Sequence, residues 1–189
     1  MPHRKMGVLF LNSPERPGAD TFIHMLIMRA LDRNRFDVHV ACSAGPPQSR
    51  TPAFEALAAI PELHIRPSNF GPSLTSQSKF RARALLGGGL GMVVDLIRVA
   101  WYIRKYRIRV LHSTDRPRDA VPCVLLGKLT GAKSIVHAHV AYGDWMRGSV
   151  RWAFGRADAL VRIAAVSDGC RRPVNHGLRW TASRLPHKV

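Results

Sequence analysis

The 189-residue sequence is short of acidic residues and of cysteine, and it contains no long apolar run. Its three cysteines, Cys42, Cys123 and Cys170, are odd in number, far apart and never arranged as C-x-x-C. They read as reduced thiols in a cytosolic protein rather than as a disulfide framework. The apolar run behind the basic N-terminus, Gly7 to Leu11, is too short for a signal-peptide core, and no stretch is long enough to cross a bilayer as a helix. The expected location is therefore cytoplasmic, with peripheral contact to the inner face of a membrane as the more specific expectation. Equally absent are a G-x-G-x-x-G turn behind a strand, the lysine of a P-loop and a G-x-S-x-G elbow, so dinucleotide, P-loop and serine hydrolase chemistry have no local signature.

The acid shortage is the largest of these deficits. Twelve Asp and Glu stand against 29 Lys and Arg, leaving a formal charge of +17. Such a surface attracts polyanions, whether nucleic acid, anionic lipid headgroups or phosphorylated substrates, although a solvated basic face accounts for charge of this kind equally well. With 46% hydrophobic and 22% charged residues, the chain has the composition of one folded domain with a real core.

What is present is organised around Val110 to Val140. An apolar run ends in His112-Ser113-Thr114, passes through Asp115-Arg116-Pro117 into an apolar-periodic segment that stops at Gly131, and is followed by Ser134-Ile135-Val136-His137-Ala138-His139. This is strand, helix, strand, which requires a parallel pair with a right-handed crossover and both carboxyl ends at one edge. Ligands of such sheets bind at that edge, where Ser113, Thr114, Asp115 and His139 fall.

Along the chain, Gly7 to Asn12 is the pattern of a buried first strand. The loop Ser13 to Ala19 opens a helix whose apolar spacing puts Phe22, Ile23, Leu26, Ile27, Ala30 and Leu31 on the core face, opposite Asp20, His24, Met28 and Asp32. Phe36 to Cys42, a short helix from Pro52 to Ala59 and a weak strand at Leu63-His64-Ile65 come next, then a Ser- and Pro-rich loop from Pro67 to Ser78. The Gly87 to Gly91 run is expected as a flexible loop before a helix from Leu90 to Tyr106. In that helix Val93, Leu96, Ile97, Ala100 and Ile103 form the apolar face, and Asp95, Arg98, Tyr102 and Lys105 the polar one. A helix from Gly143 to Gly155 and a strand from Ala157 to Ser167 complete the pattern, and residues 169–189 show neither period.

This order of elements, with Pro17-Gly18-Ala19-Asp20-Thr21-Phe22-Ile23-His24, Arg109-Val110-Leu111-His112-Ser113, Ser134 to His139 and Arg156-Ala157-Asp158 leading to Ala165-Val166-Ser167-Asp168, resembles the N-terminal, acceptor-side domain of family 4 glycosyltransferases of GT-B fold. The resemblance implies an α/β, Rossmann-like, mainly parallel sheet with helices on both faces over residues 1–168, an irregular basic tail over 169–189, and no C-terminal donor-binding domain. It implies retaining transfer from a nucleotide sugar as co-substrate, no other cofactor, and no bound metal. His139 would hydrogen-bond the transferred sugar near the reacting carbon and be exposed at the sheet edge. The Pro17, Gly18 and Ala19 loop would approach the donor phosphate, with Pro17 where the family usually has a second small residue. Ser113, Thr114, Asp115 and Arg116 would face the acceptor, a sugar, lipid-linked or phosphorylated molecule.

A chain of this kind alone is expected to be the acceptor-side half of a transferase, inactive unless a separate donor-domain chain completes it. The alternative is a basic module that binds nucleic acid or anionic membrane without catalysis. Nucleic acid is the less favoured of the two partners because interleaved aromatics, zinc spacing and a recognition helix are missing. His112, His137 and His139 make a metal site geometrically conceivable, but no Cys or carboxylate nearby in sequence completes a ligand set, and the expectation is that none is bound.

Overall fold

The computed structural model describes residues 4–43, 50–70, 81–139, 148–163 and 180–183. The expected loop beyond residue 70, the start of the helix expected from Gly143 and the end of the strand expected to reach Ser167 lie outside them. In chain order the elements are β1 (Met6–Asn12), α1 (Ala19–Ala30), β2 (Phe36–Ser43), α2 (Pro52–Ala58), β3 (His64–Ser68), α3 (Arg81–Lys105), β4 (Ile108–Thr114), α4 (Pro117–Thr130), β5 (Lys133–Ala138), α5 (Gly148–Phe154), β6 (Ala159–Ile163) and β7 (Trp180–Ser183).

The strands form one sheet in the order β3-β2-β1-β4-β5-β6-β7. The first six are parallel, and β7 pairs antiparallel with β6 through Ile163↔Trp180 and Leu160↔Ser183. The fold class is thus the expected α/β, Rossmann-like one. β7 is an addition, since residues beyond Arg179 carry no strand period in the sequence.

Alternation along β1 separates two cores. Val8 and Phe10 pack with Met25 and Met28 of α1 and Leu57 of α2, while Leu9 and Leu11 pack with Val99 and Ile103 of α3 and Leu126 of α4. A third cluster joins Val124 of α4, Val136 of β5 and Val150 and Phe154 of α5. Helices therefore cover both faces, as continuous apolar strands require. Gly131, in the left-handed region at φ 78°, closes α4 by donating its N–H to the Gly127 carbonyl.

Two helices are turned relative to their apolar periodicity. In α1 the buried residues are Asp20, Thr21, His24, Met25 and Met28, while Phe22 and Leu26 are 55% and 63% exposed. In α3 the Asp95 carboxylate pairs with Arg66 at 3.2 Å and accepts the Asn69 N–H at 2.9 Å, and the Tyr102 hydroxyl hydrogen-bonds His39 Nδ1 at 2.7 Å. Those polar anchors turn Asp95 and Tyr102 inward and leave Val93 and Ile97 outside, against the expected face. The glycine run at 87–91 is helical rather than a loop, because α3 begins at Arg81.

Two glycines should respond oppositely to a methyl group. At Gly7, where β1 meets β4, an added Cβ would lie 2.9 Å from the Ile108 Cα, whereas at Gly89 in α3 nothing lies within 4 Å. Gly7→Ala is expected to destabilise by about 1–3 kcal/mol through overpacking. Gly89→Ala is expected to stabilise by about 0.5–1 kcal/mol through lower chain entropy. Urea unfolding of both variants measures the two effects.

Candidate functional site

Strand order reverses direction between β1 and β4, so the chain leaves these neighbours toward opposite faces and opens a crevice at their carboxyl ends. A cleft of about 380 Å³ occupies that position. Its walls are Ser13 to Arg16 from the β1–α1 loop and Arg116, Pro117 and Arg118 from the β4–α4 loop. Arg16, Arg116 and Arg118 line it with Glu15, the Arg116 guanidinium being paired with Asp20, and the cleft lies at the start of α4, whose dipole adds positive potential. Such a cleft favours a multiply charged anion.

Its base is a buried hydrogen-bond junction. Asp119, fully buried in the first turn of α4, accepts the Ser13 N–H at 2.8 Å and the Thr114 hydroxyl at 2.7 Å, so one carboxylate ties the ends of β1 and β4 together. Thr114 in turn accepts the Arg116 N–H at 3.2 Å. Burial pushes the Asp119 carboxyl up to about 6, against the hydrogen bonds from Ser13 and Thr114 that favour its charge. Beside it, Asp20 pairs with Arg116 and so fastens α1 to the β4–α4 loop. Burial opposes the charge on Asp20, but the Arg116 hydrogen bond and charge outweigh it and hold the carboxyl below its usual range. A Cβ at Gly18 would sit 2.9 Å from Asp20 Oδ1, the oxygen that accepts the Thr21 N–H, so a side chain there would crowd the Asp20 carboxylate.

Next to the junction lies a cluster of imidazoles. His112 on β4 and His137 on β5 have the strand parity of Phe10 and point toward α1, where His24 descends onto them. Ring centroids are 4.8 Å apart for His24 and His112, 5.8 Å for His112 and His137, and 6.3 Å for His24 and His137. His139 stacks on His137 at 4.4 Å. Burial, reinforced by the neighbouring imidazoles, lowers the His24 ring well below its usual range, His112 to about 3 and His137 to about 4. All three are neutral at physiological pH.

The residues expected at the site divide accordingly. Arg116 lines the cleft, and Gly18 borders it through Asp20. Pro17 is half-buried and Ala19 exposed at the start of α1. Asp115, half-buried, accepts the His139 N–H at 2.9 Å. Ser113 and Thr114, expected to face an acceptor, are both 0% exposed, and the Thr114 hydroxyl is donated to Asp119. His139 is half-buried rather than fully exposed, its ring covered by His137. The sequence reading passed over Asp20, His24 and Asp119. An acid three residues after the helix cap, at Asp119, and the shared parity of Phe10, His112 and His137 are signals that could have found two of these groupings.

No protein-family model and no curated protein matches the chain. Among solved structures it is similar to a UDP-glucosyltransferase from Polygonum tinctorium capable of glucosylating indoxyl, in complex with 3,4-dichloroaniline. That match has a TM-score of 0.50 at 15% identity and covers 73% of this chain and 30% of that one. UGT2 of Phytolacca americana, complexed with UDP-2-fluoro-glucose and pterostilbene, matches with a TM-score of 0.43 at 12% identity, over 73% and 32% of the two chains. The chain thus spans about a third of the length of these proteins, and what it shares with the first is the α/β, Rossmann-like fold of one part of a GT-B structure.

Asp119 supplies a pH test. With a folded pKa of about 6 against an ordinary value of 3.8, the native state holds a proton between those limits that the unfolded state has released. Stability contributed by this group therefore falls as pH rises through the window, by up to about 3 kcal/mol, and is level above it. Asp119→Asn keeps an acceptor for Ser13 and a donor for Thr114 but cannot titrate. The unfolding free energy of the native chain minus that of Asp119→Asn should accordingly decline from about pH 4 to about pH 6.

Proposed function

We propose that these residues form the acceptor-side half of a retaining, nucleotide-sugar-dependent glycosyltransferase of family 4 type. The observation that carries this reading is the arginine-lined cleft at the β1/β4 switch point of a sheet whose fold is shared with a UDP-glucosyltransferase. In this reading Arg16, Arg116 and Arg118 attract the phosphate groups of the donor or of a phosphorylated acceptor. The loop at Pro17, Gly18 and Ala19 lies beside them. His139, fixed through its N–H to Asp115, hydrogen-bonds the transferred sugar. The groups that hold the leaving nucleotide diphosphate come from a donor domain outside these 189 residues, and without one the chain is inactive, because charge stabilisation of the leaving group supplies several kcal/mol of barrier lowering.

The test incubates the purified chain with nucleotide sugars and with polyprenyl, inositol and simple sugar acceptors, with and without a separately supplied donor domain. No turnover is expected from the chain alone, together with weak nucleoside-diphosphate binding that falls with salt and weakens about tenfold in Arg16→Ala/Arg118→Ala. Turnover by the chain alone would end the half-enzyme reading.

A specific surface favours a lipid-linked acceptor. Leu90, Val93, Val94, Ile97 and Trp101 of α3 are all exposed and recur at helical spacing as one stripe. Arg98, Arg104 and Lys105 border it, with Lys105 Nζ 5.0 Å from the Trp101 ring. Among the described residues no helix is long and apolar enough to cross a membrane, so α3 would lie in the interface plane. Each basic residue near an anionic surface contributes about 1 kcal/mol. The chain should sediment with phosphatidylserine vesicles and not with phosphatidylcholine ones, and Ile97→Asp/Trp101→Asp should abolish the difference. Equal sedimentation with both lipids would remove the membrane from this reading.

A further inference from the structure

The imidazole cluster contains more than packing requires. His24 is 0% exposed, and neither of its ring nitrogens has a hydrogen-bond partner among the described residues; His112 Nδ1 is in the same position. A buried polar atom without a partner costs on the order of 1–3 kcal/mol, so a core that only needed volume here would do better with Phe or Leu. Instead three separate elements, α1, β4 and β5, each deliver one imidazole to the same point, and one ring nitrogen from each of His24, His112 and His137 lies within 4.8 Å of the others.

We propose that His24, His112 and His137 form a binding site for a borderline divalent transition-metal ion of the zinc or cobalt(II) type. Three neutral imidazoles suit such ions, and the hard cations that prefer oxygen would gain nothing here. Around a tetrahedral ion with Zn–N bonds of about 2.1 Å the ligand nitrogens stand roughly 3.4 Å apart, so the rings must close by about 1.4 Å from their widest spacing. Rotation about the side-chain torsions supplies that movement without moving the strands. His139 stacks on His137 beside the cluster and is not one of the three ligands. Binding gives the orphan nitrogens of His24 and His112 a metal–ligand bond and pins α1 to the carboxyl ends of β4 and β5. This runs against the expectation of no metal, which found no Cys or carboxylate to complete a set with His112, His137 and His139 and did not see that α1 brings His24 to the same point. The site stands independently of the transferase reading.

The experiment uses the untagged chain, stripped with chelator and titrated with Co²⁺ alone. One equivalent should bind, develop the visible d–d absorption of a tetrahedral site, lose it to Zn²⁺, and raise the melting temperature. His24→Phe preserves the ring volume beside Phe10 and removes both orphan nitrogens, so it should fold at least as stably as the native chain while losing the cobalt absorption. His64→Ala, at an exposed ring away from the cluster, should retain it. Should His24→Phe not fold, zinc-edge X-ray absorption of the native chain decides, with at least three imidazole ligands expected. Absence of one-equivalent binding, survival of the cobalt band in folded His24→Phe, or fewer than three imidazoles at the zinc edge would each overturn the site.

Discussion

The buried carboxylate of Asp119 is the constraint on which the rest of this architecture rests. At the point where strand order reverses, β1 and β4 end side by side, and their last residues leave backbone and hydroxyl donors with no further ladder to enter. Asp119 accepts one donor from each strand, so the crevice exists with its base already satisfied. An acid held in that environment is costly, as its upward-shifted pKa records. The cost is tolerable because removing the acceptor would strand the Ser13 N–H and the Thr114 hydroxyl in the interior, and an unmade buried hydrogen bond is the more expensive condition.

Much of the sheet could be read from the chain, since β1, β2, β4, β5 and β6 are short apolar or alternating runs bounded by turn residues. The parallel order followed from the helix between Val110 and Val140. What could not be read were the turns of α1 and α3 about their own axes. Apolar count put Phe22 and Leu26 inside, yet the helix begins with Asp20 paired to Arg116 and the Thr21 hydroxyl bonded to Asn12, contacts spanning 96 and 9 residues. Periodicity registers only the helix itself and is blind to partners that the topology brings from another strand. The same blindness hid Asp119 and misplaced Ser113 and Thr114, which look like edge residues in sequence and are interior ones in the fold.

Magnitudes show why the rotation of α1 can go this way. Turning Phe22 and Leu26 outward forfeits about 1.5–3 kcal/mol each, but Met25 and Met28 turn inward and recover a comparable amount. With burial nearly balanced, a few kcal/mol from the ion pair and the Thr21 bond decide the outcome. The consequence reaches beyond stability, because the face so chosen carries His24 onto His112. A helix turned by its apolar pattern alone would have left a histidine in solvent and a hydrocarbon against Phe10.

Two polar regions thus share one edge of the sheet while opposing each other in character. The arginine cleft is open, charged and suited to an anion, whereas the imidazole cluster is closed, neutral and suited to a lone-pair acceptor. Asp20 and Asp115 stand between them. Asp20 directs its charge to Arg116 on the cleft side, and Asp115 holds the backbone of His139 on the other. Because each carboxylate spends its hydrogen bonds on fixing a neighbouring loop, neither is left as a ligand within the cluster.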